Sequence, residues 1–133
     1  IGAAAVADFT PRQVAAGKIK KRDGEEGLTL QLVRTPDILA DVATHGRRPR
    51  LVVGFAAETD DVETHARDKL RKKELDLIAA NRVGVAGSGF ESDDNALTVY
   101  WNGGERVLGP APKSRIAEQL LDLISARFGG VET

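Results

Sequence analysis

Leu51-Val52-Val53-Gly54-Phe55-Ala56-Ala57-Glu58, followed by a polar span from Asp60 to Lys73 and then by Leu75-Asp76-Leu77-Ile78-Ala79-Ala80-Asn81, is the stretch that decides the fold. Two apolar runs of strand length enclose a charged span of helical length. Asp60 with Glu63 three residues on predicts a capping-box start for that helix, which reaches about Lys73. Strand, helix and strand at this interval give a right-handed parallel crossover.

Upstream, Thr35-Pro36-Asp37 supplies a hydroxyl N-cap, a proline at the first helical position and an acid in the first turn, predicting a helix that ends near Gly46. Leu28, Leu30 and Leu32 alternate with Thr29, Gln31 and Val33, the pattern of a strand with one buried face in an antiparallel ribbon. Before it, residues 10–27 hold Pro11, Gly17, Gly24 and Gly27 among many charges, and read as a mobile flap. Ala3-Ala4-Ala5-Val6-Ala7 reads as a further small-residue strand ending on Asp8.

The expected fold is α/β: a Rossmann-like three-layer arrangement with a parallel sheet and an antiparallel ribbon and hairpin extension. Strand tips at Asp8, Glu58 and Asn81 then line one crevice at the carboxyl edge. Downstream, Val83 to Asp93 reads as a glycine-rich surface loop. Ala96 to Trp101 and Arg106 to Leu108 flank the hairpin turn Asn102-Gly103-Gly104. Lys113 to Phe128 reads as a closing amphipathic helix with Ile116, Leu120, Ile124 and Phe128 on its stripe. Residues 1–133 are expected to form one domain that lacks its amino-terminal portion, because the chain opens directly inside a strand.

Composition narrows the function. Nineteen basic and 20 acidic residues leave a net charge of -1, so nothing draws the whole chain to nucleic acid or anionic lipid, and an anion site must be local. No apolar run approaches the roughly 20 residues of a membrane span. Absence of cysteine removes thiol catalysis and disulfides, and fits the cytoplasm. Ile1-Gly2 shows no charged leader of a signal peptide. Neither Gly-x-Gly-x-x-Gly nor a P-loop occurs, which disfavours a nicotinamide oxidoreductase. His45 and His65 lack ligand spacing and read as surface residues, and Gly87-Ser88-Gly89 is only a loop signature.

Charge-bearing candidates remain, each with two readings. Lys18, Lys20 and Lys21 form either a solvated face or, with Ile19 as an anchor, an arm that closes over a polyphosphate. Asp8 is either a turn aspartate or a ligand for a metal or a sugar hydroxyl. The Thr35 to Ile38 helix start either caps itself or offers N–H groups to a phosphate. Lys69 and Lys73 share a helix face near its carboxyl end, where the macrodipole favours cations whatever their function.

Ala4-Ala5-Val6-Ala7-Asp8-Phe9, Lys18-Ile19-Lys20-Lys21, Leu32 to Ala40, Val53 to Thr59 and Ala80-Asn81 together resemble phosphopantothenate-cysteine ligase. They are similar in particular to the carboxyl-terminal part of bacterial bifunctional coenzyme A biosynthesis proteins, whose other domain is an FMN-dependent decarboxylase. The resemblance implies CTP-dependent ligation of 4'-phosphopantothenate with L-cysteine through an acyl-cytidylate, with Mg2+ offsetting triphosphate charge. It implies Lys18 as the catalytic lysine of the flap, supported by Lys20 and Lys21. It implies CTP contacts at Asp8, Lys18, Pro36, Asp37, Ile38, Leu39, Phe55, Lys69 and Lys73, with no metal-ligating side chain. It also implies a homodimer, and places the phosphate-binding glycine turn and a catalytic asparagine upstream of Ile1. The alternative is a cytidine-nucleotide-binding module that does not catalyse.

Overall fold

The computed structural model describes residues 1–20, 24, 26–83 and 94–129. It falls into two compact units, Ala4–Asp37 on the one hand and Ile1–Ala3 with Ile38–Thr133 on the other.

The smaller unit is built on an antiparallel pair, β1 (Phe9–Pro11) and β2 (Leu32–Arg34), with Thr10 opposite Val33. The expected ribbon is present but short. Leu28, Leu30 and Leu32 are all exposed rather than buried on one face, because two three-residue strands offer no second layer to cover them. Ala4 to Ala7 form no strand; alanine is depleted in strands because it has little side chain to pack, and Val6 is exposed. Residues 12–20 carry neither helix nor strand and are exposed, and Lys21 lies outside the described residues.

The larger unit contains α1 (Ile38–Thr44), β3 (Val53–Glu58), α2 (Val62–Lys72), β4 (Leu77–Arg82), β5 (Asp94–Trp101), β6 (Gly104–Pro112) and α3 (Lys113–Gly129). The strand order is β3-β4-β5-β6. β3 and β4 run parallel with Val53 opposite Leu77 and Glu58 opposite Arg82, as the crossover predicts, whereas β4, β5 and β6 are antiparallel neighbours. The sheet is therefore mixed. A single parallel bridge from Gly2 to Gly54 continues it beyond β3.

Alternation along the strands builds three layers. Val52, Ala56, Ile78, Ala80 and Tyr100 pack with Ala43, Ala66 and Leu70 of α1 and α2. Val53, Leu77, Ala79, Leu97 and Val99 face the other way and pack with Ile116, Leu120 and Leu123 of α3. Each fully buried Leu, Ile or Val side chain contributes about 1.5–3 kcal/mol relative to exposure, so the sheet is held by both helical layers.

Several local expectations differ. α1 starts at Ile38, leaving Pro36 and Asp37 ahead of it. Thr35 does not cap the helix, since its Oγ1 donates to the Ala7 carbonyl at 2.6 Å and its N–H to the Asp8 carbonyl at 3.0 Å. At α2 no capping box forms: the N-cap residue is Asp61, left-handed at φ 39°, with no side-chain cap bond, and Glu63 accepts instead from Arg67 Nε at 2.8 Å. On α3, Leu123 continues the buried line, and Phe128 is exposed beneath the Arg50 guanidinium. The hairpin turn forms as expected, with Gly103 at φ 82° between the paired residues Trp101 and Gly104. Gly87-Ser88-Gly89 lies outside the described residues. Among the described residues, no helix is long and apolar enough to cross a membrane.

Candidate functional site

At the carboxyl end of β3 the parallel strand hands a carboxylate to the helix that follows it. Glu58 Oε1 accepts from Lys69 Nζ at 2.6 Å, and Glu58 Oε2 lies 3.4 Å from His65 Nδ1. The Glu58 side chain is only 12% exposed, while those of Lys69 and His65 are close to half exposed. Helix geometry explains the reach: residues four apart stack on one face, and their side chains lean toward the amino end of α2, where β3 finishes. One ammonium proton of Lys69 is used on Glu58, and two remain for hydroxyl or phosphate oxygens. Lys73, the next residue in this series, caps the far end of α2, its N–H bonded to the Lys69 carbonyl at 3.0 Å.

Phe55 sits three residues before Glu58 on β3 and is exposed, at 42% for the whole residue. Leu39, in the first turn of α1, packs against the same strand; a Cβ on Gly54 would lie 2.9 Å from Leu39 Cδ2. Thus Ile38, Leu39, Phe55 and Lys69 all belong to the larger unit, on elements that meet at β3 or its carboxyl end.

The smaller unit assembles the other candidates. Asp8 and the segment through Pro36 and Asp37 are far apart in sequence, yet the bonds from Thr35 to Ala7 and Asp8 lay them side by side at the open end of the ribbon. Asp8, Pro36 and Asp37 are exposed. Lys18 and Lys20 are exposed on the loop joining β1 to β2. Of the three expected strand tips, Glu58 ends β3, and Asn81 lies one residue before the end of the adjacent parallel strand β4, opposite Ala57. Asp8 follows no strand.

His65 is not among the expected site residues, and Glu58 is expected as a strand tip lining the crevice but not as the partner of Lys69. His65 carries a legible signal, the four-residue spacing His65, Lys69, Lys73. The pairing of Glu58 with Lys69 carries none, because the two lie 11 residues apart, across a turn. Among the described residues, no group of three or more His, Cys, Asp or Glu side chains is placed to hold a metal ion. The opposite flank of α2 is a separate charged system. There Arg67 binds Glu63 and Glu105, the latter at 2.5 Å, and stacks 4.8 Å from the Tyr100 ring centroid. The hydrogen bond to Glu63 is the main reason the guanidinium holds its proton even more firmly than usual.

Comparison with known proteins places the chain in a family. The chain is 49% identical over 124 residues to the coenzyme A biosynthesis bifunctional protein CoaBC of Vibrio cholerae, covering 93% of this chain and 31% of that protein. It is 48% identical to the Escherichia coli protein of the same name, over 96% of this chain and 32% of that one. The chain therefore spans about a third of the length of the relatives it matches. A crystal structure of the C-terminal domain of CoaBC superposes with a TM-score of 0.69 at 30% identity, covering 96% of this chain and 53% of that one. The DNA/pantothenate metabolism flavoprotein of Streptococcus pneumoniae superposes with a TM-score of 0.67 at 26% identity, covering 92% and 60%. With residues 1–128 matching the family model, the chain belongs to the family of DNA/pantothenate metabolism flavoprotein C-terminal domains.

Proposed function

We propose that this domain carries out the ligase step of coenzyme A biosynthesis, joining 4'-phosphopantothenate to L-cysteine at the expense of CTP. A carboxylate is a poor electrophile, and the reaction must first give it a leaving group. Its oxygen attacks the α-phosphorus of CTP, the bond to the β-phosphate bridge breaks, and pyrophosphate departs with the electron pair. The cysteine amine then attacks the acyl carbon and CMP leaves with the original carboxylate oxygen. The amine proton passes to solvent.

Both steps build negative charge on phosphate oxygens, so cations placed there do more than a general base would. Lys18 is the catalytic residue in this reading, brought to the phosphates by the flap of residues 10–27. Lys69, held by Glu58, and Lys73 serve the nucleotide, together with Asp8, Pro36, Asp37, Ile38, Leu39 and Phe55. The described side chains do not form a magnesium cage. Mg2+ would enter as the counter-ion of CTP, in keeping with its habit of binding mainly through substrate phosphates and water. In this reading the domain acts in the cytoplasm as a homodimer; sedimentation velocity checks the dimer.

The observation that carries this reading is the family match over residues 1–128, which spans every residue assigned a role. Its test uses 4'-phosphopantothenate labelled with 18O in the carboxylate, supplied with CTP and L-cysteine to the protein extended to the relatives' full length. One labelled oxygen is expected in the CMP phosphate. Product formation with unlabelled CMP would rule out the acyl-cytidylate.

A further inference from the structure

At the edge of the sheet opposite Glu58, where β3 and β4 begin and β5 turns into β6, lies a cleft of about 920 Å³. Ligand pockets of roughly 300–1,000 Å³ accept molecules much larger than a bare oxyanion. The floor is apolar, made by Leu51, Leu70, Leu75 and Leu77, and Trp101 stands beside it. Four arginines, Arg48, Arg67, Arg71 and Arg127, line the cleft together with two acids, Glu74 and Asp76.

Three of the arginines are committed. Arg48 NH2 binds Asp76 Oδ2 at 2.6 Å, Arg67 binds Glu63 and Glu105, and Arg71 binds Asp68. Arg127 differs from them. Its guanidinium carbon lies 3.8 Å from the Trp101 ring centroid, and its Nε is buried with no hydrogen-bond partner. Among the described residues no carboxylate is paired with it. A guanidinium stacked on an indole is held flat, so its remaining donors form a fixed fork matched to a carboxylate or phosphate.

We propose that this cleft binds a small organic anion, its oxyanion group in the fork of Arg127 and its apolar body against Trp101 and the leucine floor. Arg48 and Arg71, each paired with one carboxylate, keep further N–H donors beside the same cleft. The site lies at the opposite ends of β3 and β4 from Glu58, and beside the Arg71 flank of α2 rather than the Lys69 flank; of the residues assigned to the nucleotide, Lys73 comes near it, one residue before the lining residue Glu74.

Trp101 is the one tryptophan of the chain and reports directly on occupancy. Phenyl phosphate and benzoate, titrated separately into the 133-residue chain, are expected to change its fluorescence saturably, and the tighter probe identifies the preferred oxyanion. Arg127→Gln is expected to weaken binding about tenfold or more, the scale of a lost charge-assisted hydrogen bond. Arg71→Gln, at an exposed side chain whose loss cannot unfold the domain, is expected to weaken it about threefold. Saturating CTP leaves the probe bound. The proposal is overturned if neither probe gives a saturable change, if both variants bind as the parent does, if inorganic phosphate matches phenyl phosphate, or if CTP displaces the probe.

Discussion

Lys18 is exposed on a loop outside any helix or strand, so its removal costs the fold nothing while removing the charge assigned to the transition state. Lys18→Ala is expected to lower kcat for ligation by about 10²- to 10³-fold, the scale of losing one preorganised charge-stabilising group, with an unchanged melting temperature. Activity within a fewfold of the parent would remove Lys18 from the mechanism. Glu58 behaves differently because it is nearly buried between Lys69 and His65. Glu58→Gln keeps the shape and removes the charge. It is expected to lower unfolding free energy by about 1–3 kcal/mol in a denaturant titration and to raise KM for CTP more than it lowers kcat. The lysines were legible in the sequence as charge at helical spacing. Their anchor was not, since the pairing of Glu58 with Lys69 depends on where β3 ends relative to α2.

Titration offers another check on a single residue. Burial of Tyr100 pushes its phenol above the ordinary value, so the folded state holds that proton more tightly than the unfolded state does. The contribution is fully present below about pH 10, the unfolded value, and is lost as pH rises through the higher folded one. Denaturant midpoints are expected to fall between about pH 9 and 11 in the parent. In Tyr100→Phe that alkaline fall should be shallower, and an identical fall would assign it to other groups.

At the scale of elements, the crossover from β3 through α2 to β4 follows directly from two apolar runs around a charged span. The turn at Gly103 follows from glycine's tolerance of positive φ. Helix starts were harder to place. Thr35 has the chemistry of an N-cap, but the ribbon claims its hydroxyl and its N–H, and a hydrogen-bonding group has one best partner. Gly109 shows the reverse case, a constraint invisible in sequence. Its φ is 89°, and an added Cβ would lie 2.6 Å from the Asn95 carbonyl and 3.0 Å from Ile116 Cδ1. Gly109→Ala is expected to destabilise by roughly 2–5 kcal/mol, combining backbone strain with overpacking, as read by thermal or chemical unfolding. A loss under 1 kcal/mol would mean that β6 and α3 separate at little cost.

For the whole molecule, the α/β class and three layers were legible because buried runs alternate around helical spans. The antiparallel hairpin of β5 and β6 was legible from its turn; that β5 joins the sheet antiparallel to β4 was not, because the connection from β4 to β5 has no apolar period that fixes the direction of the next strand. The proposed ligation, by contrast, comes from the family resemblance, since the cations by themselves fit a solvated face as well as a phosphate site. The most direct test of that reaction is pyrophosphate release on mixing 4'-phosphopantothenate, L-cysteine and either CTP or ATP with the protein extended to the relatives' full length. The account predicts release with CTP, in equal amount to CMP and to ligated product, and little with ATP. No pyrophosphate with CTP, or equal turnover of both nucleotides, would contradict it.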